Sequence, residues 1–316
     1  MANEARFDEP IQRVRRRLEE LRGFAESPAR DREVEKLEGK VRKLSREIYE
    51  NLTPWQKTLV ARHPNRPFTL DYVRVLIRDF TEWHGDRAFA DDPAIVAGFG
   101  FLGARAVAVI GHQKGRDTKE KIRRNFGMPR PEGYRKALRV MKLAEKFGRP
   151  VLTFIDTPGA FPGLESEERG VAEAIARNLL EMSALRTPIV TSVIGEGGSG
   201  GALGIGIGDV ILMLEHAVYS VISPEGCAAI LWKDQARGKE AAEAMRVTAA
   251  DCKALGVVDE VLPEPPGGAH ADPVAAIDTL GRAIEERLGG LERVGVDALL
   301  EARYAKFRTM GAWETA

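Results

Sequence analysis

The stretch IGEGGSGGALGIG, from Ile194 to Gly206, decides the interpretation of this chain. Between Gly195 and Gly208, eight of fourteen residues are glycine. Glycine destabilises regular elements because it loses more conformational freedom on folding than any other residue. Such a density therefore indicates a place where the backbone turns sharply or comes close to something. The cluster follows an apolar run, PIVTSVIG (188–195), that predicts a buried strand.

Similar apolar runs lie on both sides of this cluster. They are AVAVIG (106–111), PVLTFID (150–156) and DVILMLE (209–215). Nearly continuous apolar runs are typical of parallel strands buried on both faces, and helical segments at 132–148 and 166–185 separate them. This alternation predicts an α/β fold with functional loops at the carboxyl ends of the strands. The strand-and-loop unit recurs about every 40 residues, as a weak internal repeat.

The two ends of the chain differ in pattern from this central part. Residues 1–50 are charge-dense, and their apolar residues recur at helical steps, which predicts a helical hairpin. After a Pro-containing entry, Thr69 is expected to cap a helix that carries Val73, Leu76, Ile77 and Phe80. Beyond a Pro/Gly connection at 263–273, two further helical segments form a packing tail. We therefore expect an arm over 1–50, a main domain over 51–290 and a tail over 291–316.

Composition limits the classes of function. Of 316 residues, Lys plus Arg and Asp plus Glu both number 47, so the neutral chain has no global attraction for nucleic acid or anionic membrane. The arginines of the N-terminal arm alternate with glutamates, which disfavours a nucleic-acid arm. Cys227 and Cys252 show no CxxC spacing, which argues against a disulfide framework and against a zinc site. The polar start and the absence of a long apolar run predict a cytoplasmic protein without a membrane span.

Three interpretations of the glycine cluster compete. GEGGSG (195–200) matches the dinucleotide pattern G-x-G-x-x-G, with Glu215 about twenty residues further on. That site would open a long helix, whereas barely ten glycine-interrupted residues follow Ser199 before the next strand. DTPG (156–159) resembles a GTPase switch motif, but no lysine-bearing phosphate loop accompanies it. In the third interpretation a short helix begins inside the cluster, and its free amides form an oxyanion hole.

Four long motifs carry a resemblance to a known family. They are GHQKGRDTKEKIRRNFGMPRPEGYRKALR, FIDTPGAFPGLESEERG, IGEGGSGGALGIGIGD and SVISPEGCAAILW. In this order they resemble the alpha subunits of bacterial acetyl-CoA carboxylase carboxyltransferases, over nearly the whole chain. The departures are minor: Phe161 stands where a tyrosine is more usual, and the residues just before Glu167 vary.

The resemblance implies a crotonase-like superhelix of ββα units, with the N-terminal hairpin and C-terminal helical tail added. It also implies transfer of a carboxyl group from carboxybiotin, on the biotin carboxyl carrier protein, to acetyl-CoA. The product, malonyl-CoA, is the first dedicated intermediate of fatty-acid synthesis. The implied partners are a beta subunit in an alpha2beta2 assembly and biotin carboxylase in the full complex. Zinc is expected only in the beta subunit, and no cofactor is expected to be covalently bound to this chain.

The same resemblance assigns candidate site residues. Gly200 and Gly201 are expected to donate their amides to the ureido oxygen of biotin, with Gly197 and Gly198 shaping the loop. Gly159, in DTPGA, would form a second wall, although a simple strand-to-helix turn is the favoured interpretation there.

Two further features of the sequence are compatible with either a functional or a structural role. Lys114, Gly115 and Arg116 begin a basic stretch, 114–130, with a net charge of +5. It would attract CoA phosphates, an acidic carrier or the beta chain, or else form a solvated surface helix. None of the five histidines lies in a recognisable nucleophile–base arrangement, and His112 has either a functional or a structural role. A non-catalytic acyl-CoA- or dinucleotide-binding module is the alternative function.

Overall fold

The computed structural model describes residues 7–311. The strands of this part of the chain are β1 (Ile77–Glu82), β2 (Ile95–Leu102), β3 (Arg105–His112), β4 (Val151–Thr157), β5 (Ile189–Gly198), β6 (Val210–Leu214), β7 (Val218–Ser220) and β8 (Glu260–Leu262). They form one sheet in the order β1–β2–β3–β4–β5–β6–β8, with β7 paired to β5. β1, β2 and β3 are antiparallel neighbours, whereas the pairs from β3 onward are parallel.

Helices surround this sheet and extend from both ends of it. They are α1 (Glu9–Arg22), α2 (Pro28–Tyr49), α3 (Pro54–Ala61), α4 (Thr69–Leu76), α5 (Thr118–Arg123), α6 (Pro131–Lys146), α7 (Leu164–Glu168), α8 (Val171–Ser183), α9 (Ser199–Leu203), α10 (Pro224–Trp232), α11 (Gly238–Met245), α12 (Ala249–Ala254), α13 (Pro273–Leu291) and α14 (Val296–Arg308). Within residues 7–311, no helix combines the length and the apolar character needed to cross a membrane.

The core lies around the three central strands β3, β4 and β5. Every residue of β4 and β5 is buried, as expected for parallel strands covered on both faces. Val109, Ile155 and Val193 are completely buried there, and Met141 of α6 packs in the same apolar cluster. The predicted α/β organisation is therefore present, and the carboxyl ends of β3, β4 and β5 lie side by side.

Strand β5 changes partners along its length. Its first half pairs with β6 through Val190–Val193, and its last residues pair with β7 through Glu196–Gly198. The strand thus leaves one set of neighbours and continues beside another, in keeping with a superhelical path. The sequence predicts that the strand ends at Gly195 and that Gly197 and Gly198 shape a loop, which is wrong for these two glycines. Residues 196–198 continue the strand because backbone pairing with β7 holds them extended.

Three further expectations from the sequence were wrong. Thr69 is the first residue of its helix and not the N-cap, which is Phe68, and its hydroxyl donates to the carbonyl of His112. The helix ends at Leu76, and both Ile77 and Phe80 lie in β1, because pairing with β2 overrides the helical periodicity. The helix predicted over 166–185 is divided into α7 and α8 at Gly170, whose φ of 76° is left-handed.

The C-terminal helix α14 is tied to the sheet by one buried arginine. Arg303 is 1% exposed, and its guanidinium donates to both carboxylate oxygens of Asp209 at 2.8 Å. The remaining N–H groups donate to the main-chain carbonyls of Met182, Leu185 and Thr187. Asp209 precedes β6, and the three carbonyls lie in the last turn of α8 and in the connection that follows it. This side chain therefore joins α14 to two other segments of the chain.

Replacing Arg303 by leucine should therefore destabilise the chain strongly. The change leaves the buried Asp209 carboxylate without a partner, which costs about 3–5 kcal/mol when one member of a buried ion pair is removed. Arg308→Leu, on the exposed end of the same helix, is the matched control and should change stability by less than about 0.5 kcal/mol. Urea denaturation of the purified chain measures both, and equal losses would contradict the assignment.

Candidate oxyanion site

The candidate site lies where β4 and β5 end. β4 ends at Thr157 and leads into Pro158 and Gly159, and β5 ends at Gly198 and leads directly into the short helix α9. The two strands are parallel neighbours, paired from Val151 with Ile189 to Thr157 with Gly197. The structure therefore brings the predicted DTPGA wall and the predicted glycine cluster together.

These two segments are packed backbone against backbone. A Cβ atom added at Gly198 would lie 2.2 Å from the carbonyl oxygen of Pro158. One added at Gly201 would lie 2.3 Å from the carbonyl carbon of Gly159. Neither distance is compatible with a side chain, so both glycines are required by the close approach.

The start of α9 presents unpaired main-chain donors. The amides at the beginning of a helix have no acceptor within it. Within residues 7–311, the N–H groups of Gly200 and Gly201 donate to no other protein group. Ser199, just before them, has a left-handed φ of 53°, which costs a non-glycine residue roughly 1–2 kcal/mol. Strain of this kind persists only where the surrounding structure enforces it, and it is concentrated at functional sites.

A cavity of about 440 Å³ opens beside Gly200, the first of these two residues. Ser199 and Gly200 line one side of it, whereas Gly201 is buried against the DTPGA segment. The rest of the wall is largely apolar and includes Leu203, Val221, Leu255, Val257 and Met310. Among the described residues that line it, Arg246 is the only charged one. The cavity therefore suits a ligand with little charge.

A network of ion pairs lies behind the DTPGA segment. Asp156 is 1% exposed, and its Oδ1 accepts from the Nζ of Lys114 at 2.7 Å and from the amide of Glu196 at 3.0 Å. The Glu196 carboxylate lies 3.8 Å from Lys114 and 2.7 Å from Arg62, which also pairs with Glu225. The sequence identifies Asp156 only as the first residue of DTPG and assigns no role to Arg62 or Glu196. The signal for Glu196 is an acidic residue inside a glycine cluster.

The other residues predicted to bind substrate lie near this network. Gly115 packs against the middle of α5, where an added Cβ would lie 2.2 Å from the amide nitrogen of Lys121. The Arg116 guanidinium donates to the carbonyl of Pro64, pairs with Asp71 and lies over the ring of Phe68. Lys114 and Arg116 thus have protein partners already, and their binding of substrate remains a prediction. Gly197 packs on the ring of Tyr219.

His112, at the carboxyl end of β3, contacts both walls of the site. Its Nε2 lies 3.1 Å from the carbonyl oxygen of Gly201, and its Nδ1 accepts from the amide of Asp156 at 3.4 Å. Burial lowers the pKa of this imidazole to about 3, so it is neutral at physiological pH. Both ring nitrogens are engaged by the backbone, which leaves neither available to a substrate.

The geometry does not favour a dinucleotide site. A dinucleotide fingerprint opens a long helix and places a doubly charged pyrophosphate at its start. Here α9 has five residues, and Gly197 and Gly198 are strand residues that pair with β7.

No cluster of three or more His, Cys, Asp or Glu side chains suited to a metal ion occurs in residues 7–311.

Sequence comparison places the chain among named proteins. A sequence model of the family described as "Acetyl co-enzyme A carboxylase carboxyltransferase-like" matches residues 4–311. The acetyl-coenzyme A carboxylase carboxyl transferase subunit alpha of Syntrophotalea carbinolica is 58% identical over 306 residues, 96% of each chain. The protein of the same name from Stenotrophomonas maltophilia is 55% identical over 312 residues, 98% of each chain.

Solved structures show the same fold at low identity. Transcarboxylase 12S with methylmalonyl-coenzyme A and methylmalonic acid bound gives a TM-score of 0.56 at 19% identity, over 72% of this chain and 42% of that chain. A Pseudomonas malonate decarboxylase hetero-tetramer in complex with coenzyme A gives 0.51 at 18% identity, over 69% of this chain and 91% of that chain. These similarities confirm the predicted crotonase-like fold.

The sequence relatives confirm the predicted family, and they leave the non-catalytic binding module without support. The match extends over nearly the full length both of this chain and of its relatives, so it is not confined to a shared domain. The chain therefore belongs to the acetyl-coenzyme A carboxylase carboxyltransferase family, among its alpha subunits.

Proposed function

We propose that this chain forms the biotin side of the carboxyl-transfer site of an acetyl-CoA carboxylase. The amides of Gly200 and Gly201 stabilise negative charge on the ureido oxygen of biotin. One observation carries this proposal: two unpaired amides start a helix, and the first of these residues lines an apolar cavity of about 440 Å³. The fused rings of biotin are uncharged and mostly apolar, with one polar ureido group, which fits such a wall.

The proposed chemistry needs no titrating side chain at the Gly200–Gly201 site. Carboxybiotin supplies the carboxyl group, and its ring nitrogen takes up the proton that leaves the methyl group of acetyl-CoA. What remains for the protein is to orient two reactants and to stabilise the charge that develops on their oxygen atoms. Main-chain amides do this at any pH at which the fold is intact. Gly159, Gly197 and Gly198 keep the surrounding backbone free of side chains.

The reactants and partners follow from this role. The chain is an alpha subunit, and we propose that the beta subunit completes the site on the acetyl-CoA side in an alpha2beta2 assembly. The biotin carboxyl carrier protein would deliver carboxybiotin from biotin carboxylase, and the whole system would operate in the cytoplasm. Lys114, Gly115 and Arg116 are retained as candidate substrate-binding residues at the edge of the site.

Gly200 offers a direct test because two substitutions distinguish the need for its amide donor from the need for an absent side chain. Gly200→Ala keeps the amide, and its new Cβ would lie 3.3 Å from the flexible Cδ1 of Ile175. We expect this variant to keep kcat within a few-fold of the parent. Gly200→Pro removes the donor, and kcat should fall on the order of a hundredfold, since the charge exists mainly in the transition state.

The measurement is steady-state turnover of the alpha–beta complex, with thermal midpoint and assembly determined on the same samples. At Gly201 the alanine variant tests packing instead, because its Cβ overlaps the Gly159 backbone, and it should destabilise the chain by about 1–3 kcal/mol. A folded, assembled Gly200→Pro complex with near-normal kcat would remove Gly200 from the oxyanion hole.

The isolated chain should lack carboxyltransferase activity. It offers donors for one of the two anions that the reaction develops, so turnover should appear only when the purified beta subunit is added. Malonyl-CoA-dependent carboxylation of a free biotin derivative, followed with and without beta, measures this. Full turnover by the isolated alpha chain would be incompatible with the shared site.

Chelation should leave the isolated chain unchanged. Cys227 and Cys252 are both free, and we propose that zinc belongs to the beta subunit. The thermal midpoint of purified alpha chain in the presence of EDTA should equal that in its absence, whereas metal-dependent folds lose stability on chelation. The alpha–beta complex treated in the same way is the comparison, and a marked drop for alpha alone would refute the assignment.

A further inference from the structure

Helix α9 is too short to fix its own orientation. It has five residues, two of them glycine, and Gly204 follows immediately. Helices of this length are not stable in isolation, and glycine weakens them further. The direction of the Gly200 and Gly201 amides must therefore be set by contacts made from outside the helix.

Three buried side chains make those contacts through carbonyl oxygens. His112 Nε2 lies 3.1 Å and Tyr134 Oη 3.4 Å from the carbonyl oxygen of Gly201. Asn178 Nδ2 donates to the carbonyl oxygen of Gly204 at 2.8 Å. Each of the three residues is at most 1% exposed. Their positions on β3, α6 and α8 place them in rigid elements of the fold.

His112 differs from the other two because it also contacts the opposite wall. Its Nδ1 accepts from the amide of Asp156, and an amide can only donate. The ring hydrogen is consequently on Nε2, from which it is donated to Gly201. A single neutral imidazole thus joins the end of β4 to α9.

We propose that His112 is a positioning residue that orients the Gly200 and Gly201 amides toward the developing oxyanion. The proposal rests on the proposed function of those amides. The carbonyl of Gly201 belongs to the peptide that follows this residue. Holding that carbonyl in place limits backbone rotation at Gly201, which carries the second proposed donor and has no side chain of its own. An imidazole engaged on both sides has no free nitrogen to act as a general base.

Two polar substitutions separate these roles. His112→Gln can place an amide donor near the position of Nε2, whereas His112→Asn retains an acceptor near Nδ1 but falls short of Gly201. If His112 positions the helix, kcat of the alpha–beta complex should fall roughly tenfold or more in the Asn variant and less than about threefold in the Gln variant. KM for the biotin derivative and for malonyl-CoA should change by less than about threefold in both, since ground-state binding is not the interaction removed.

The controls use the same substitutions at His270, which lies against Tyr49 and His63 away from this site, and these should leave kcat unchanged. A purely structural role would lower the thermal midpoint or assembly in both His112 variants without separating their kcat values, and that outcome overturns the proposal. Loss of one limb of the kcat–pH profile in the His112 variants would also overturn the proposal, since it would make His112 a general base. An active Gly200→Pro complex would overturn the oxyanion role of the amides, and with it the positioning role that rests on it. An inactive Gly200→Pro complex, together with normal turnover by both His112 variants, would overturn the positioning role alone.

Discussion

The site depends on one steric constraint: two backbone segments lie closer together than side chains permit. Gly198 and Gly201 face Pro158 and Gly159 at distances where a single added carbon would overlap the opposing main chain. This contact sets the spacing between the ends of β4 and β5. It also determines where the first amides of α9 lie, and the cavity beside Gly200 follows from it. A chain with alanine at Gly198 or Gly201 would have to separate these segments.

Charged side chains next to the ends of β4 and β5 stabilise the same contact. The side chain of Asp156, near the end of β4, accepts from the amide of Glu196, near the end of β5, and so links the two strands. Lys114 and Arg62 neutralise these buried carboxylates. Arg66, itself paired with Glu264, donates to the carbonyl of Ile194 at the start of the glycine cluster. Removing water from so many charges is costly, and it is offset only because each carboxylate has a close cationic or amide partner.

The proposed carboxyl-transfer site uses no titrating side chain from the described residues, and the arrangement of amides and His112 is consistent with that proposal. The donors proposed for the oxyanion are amides, which carry no proton to gain or lose in the physiological range. The histidine nearest to them is held neutral by burial and is used on both sides by the backbone. Catalysis of this kind depends on preorganisation, and preorganisation is what a sheet of buried parallel strands supplies.

The sequence alone determined the family, the α/β class and the importance of the glycine cluster and DTPGA, because these are properties of local pattern and long motifs. It also predicted that α9 would be short, since glycines interrupt every longer helix there. It failed at β1 and β2: Ile77 and Phe80 have helical spacing, and Gly98 and Gly100 weaken the pattern of a strand. There Gly98 and Gly100 are required because β1 passes so close that a side chain would meet Thr81 and Ile77. Only the tertiary structure decided that Lys114 pairs with Asp156, that Gly201 is a packing glycine while Gly200 lines the cavity, and that His112 joins the two walls. Those partners are 42 to 89 residues apart in the sequence, and their contacts exist only after the strands pair.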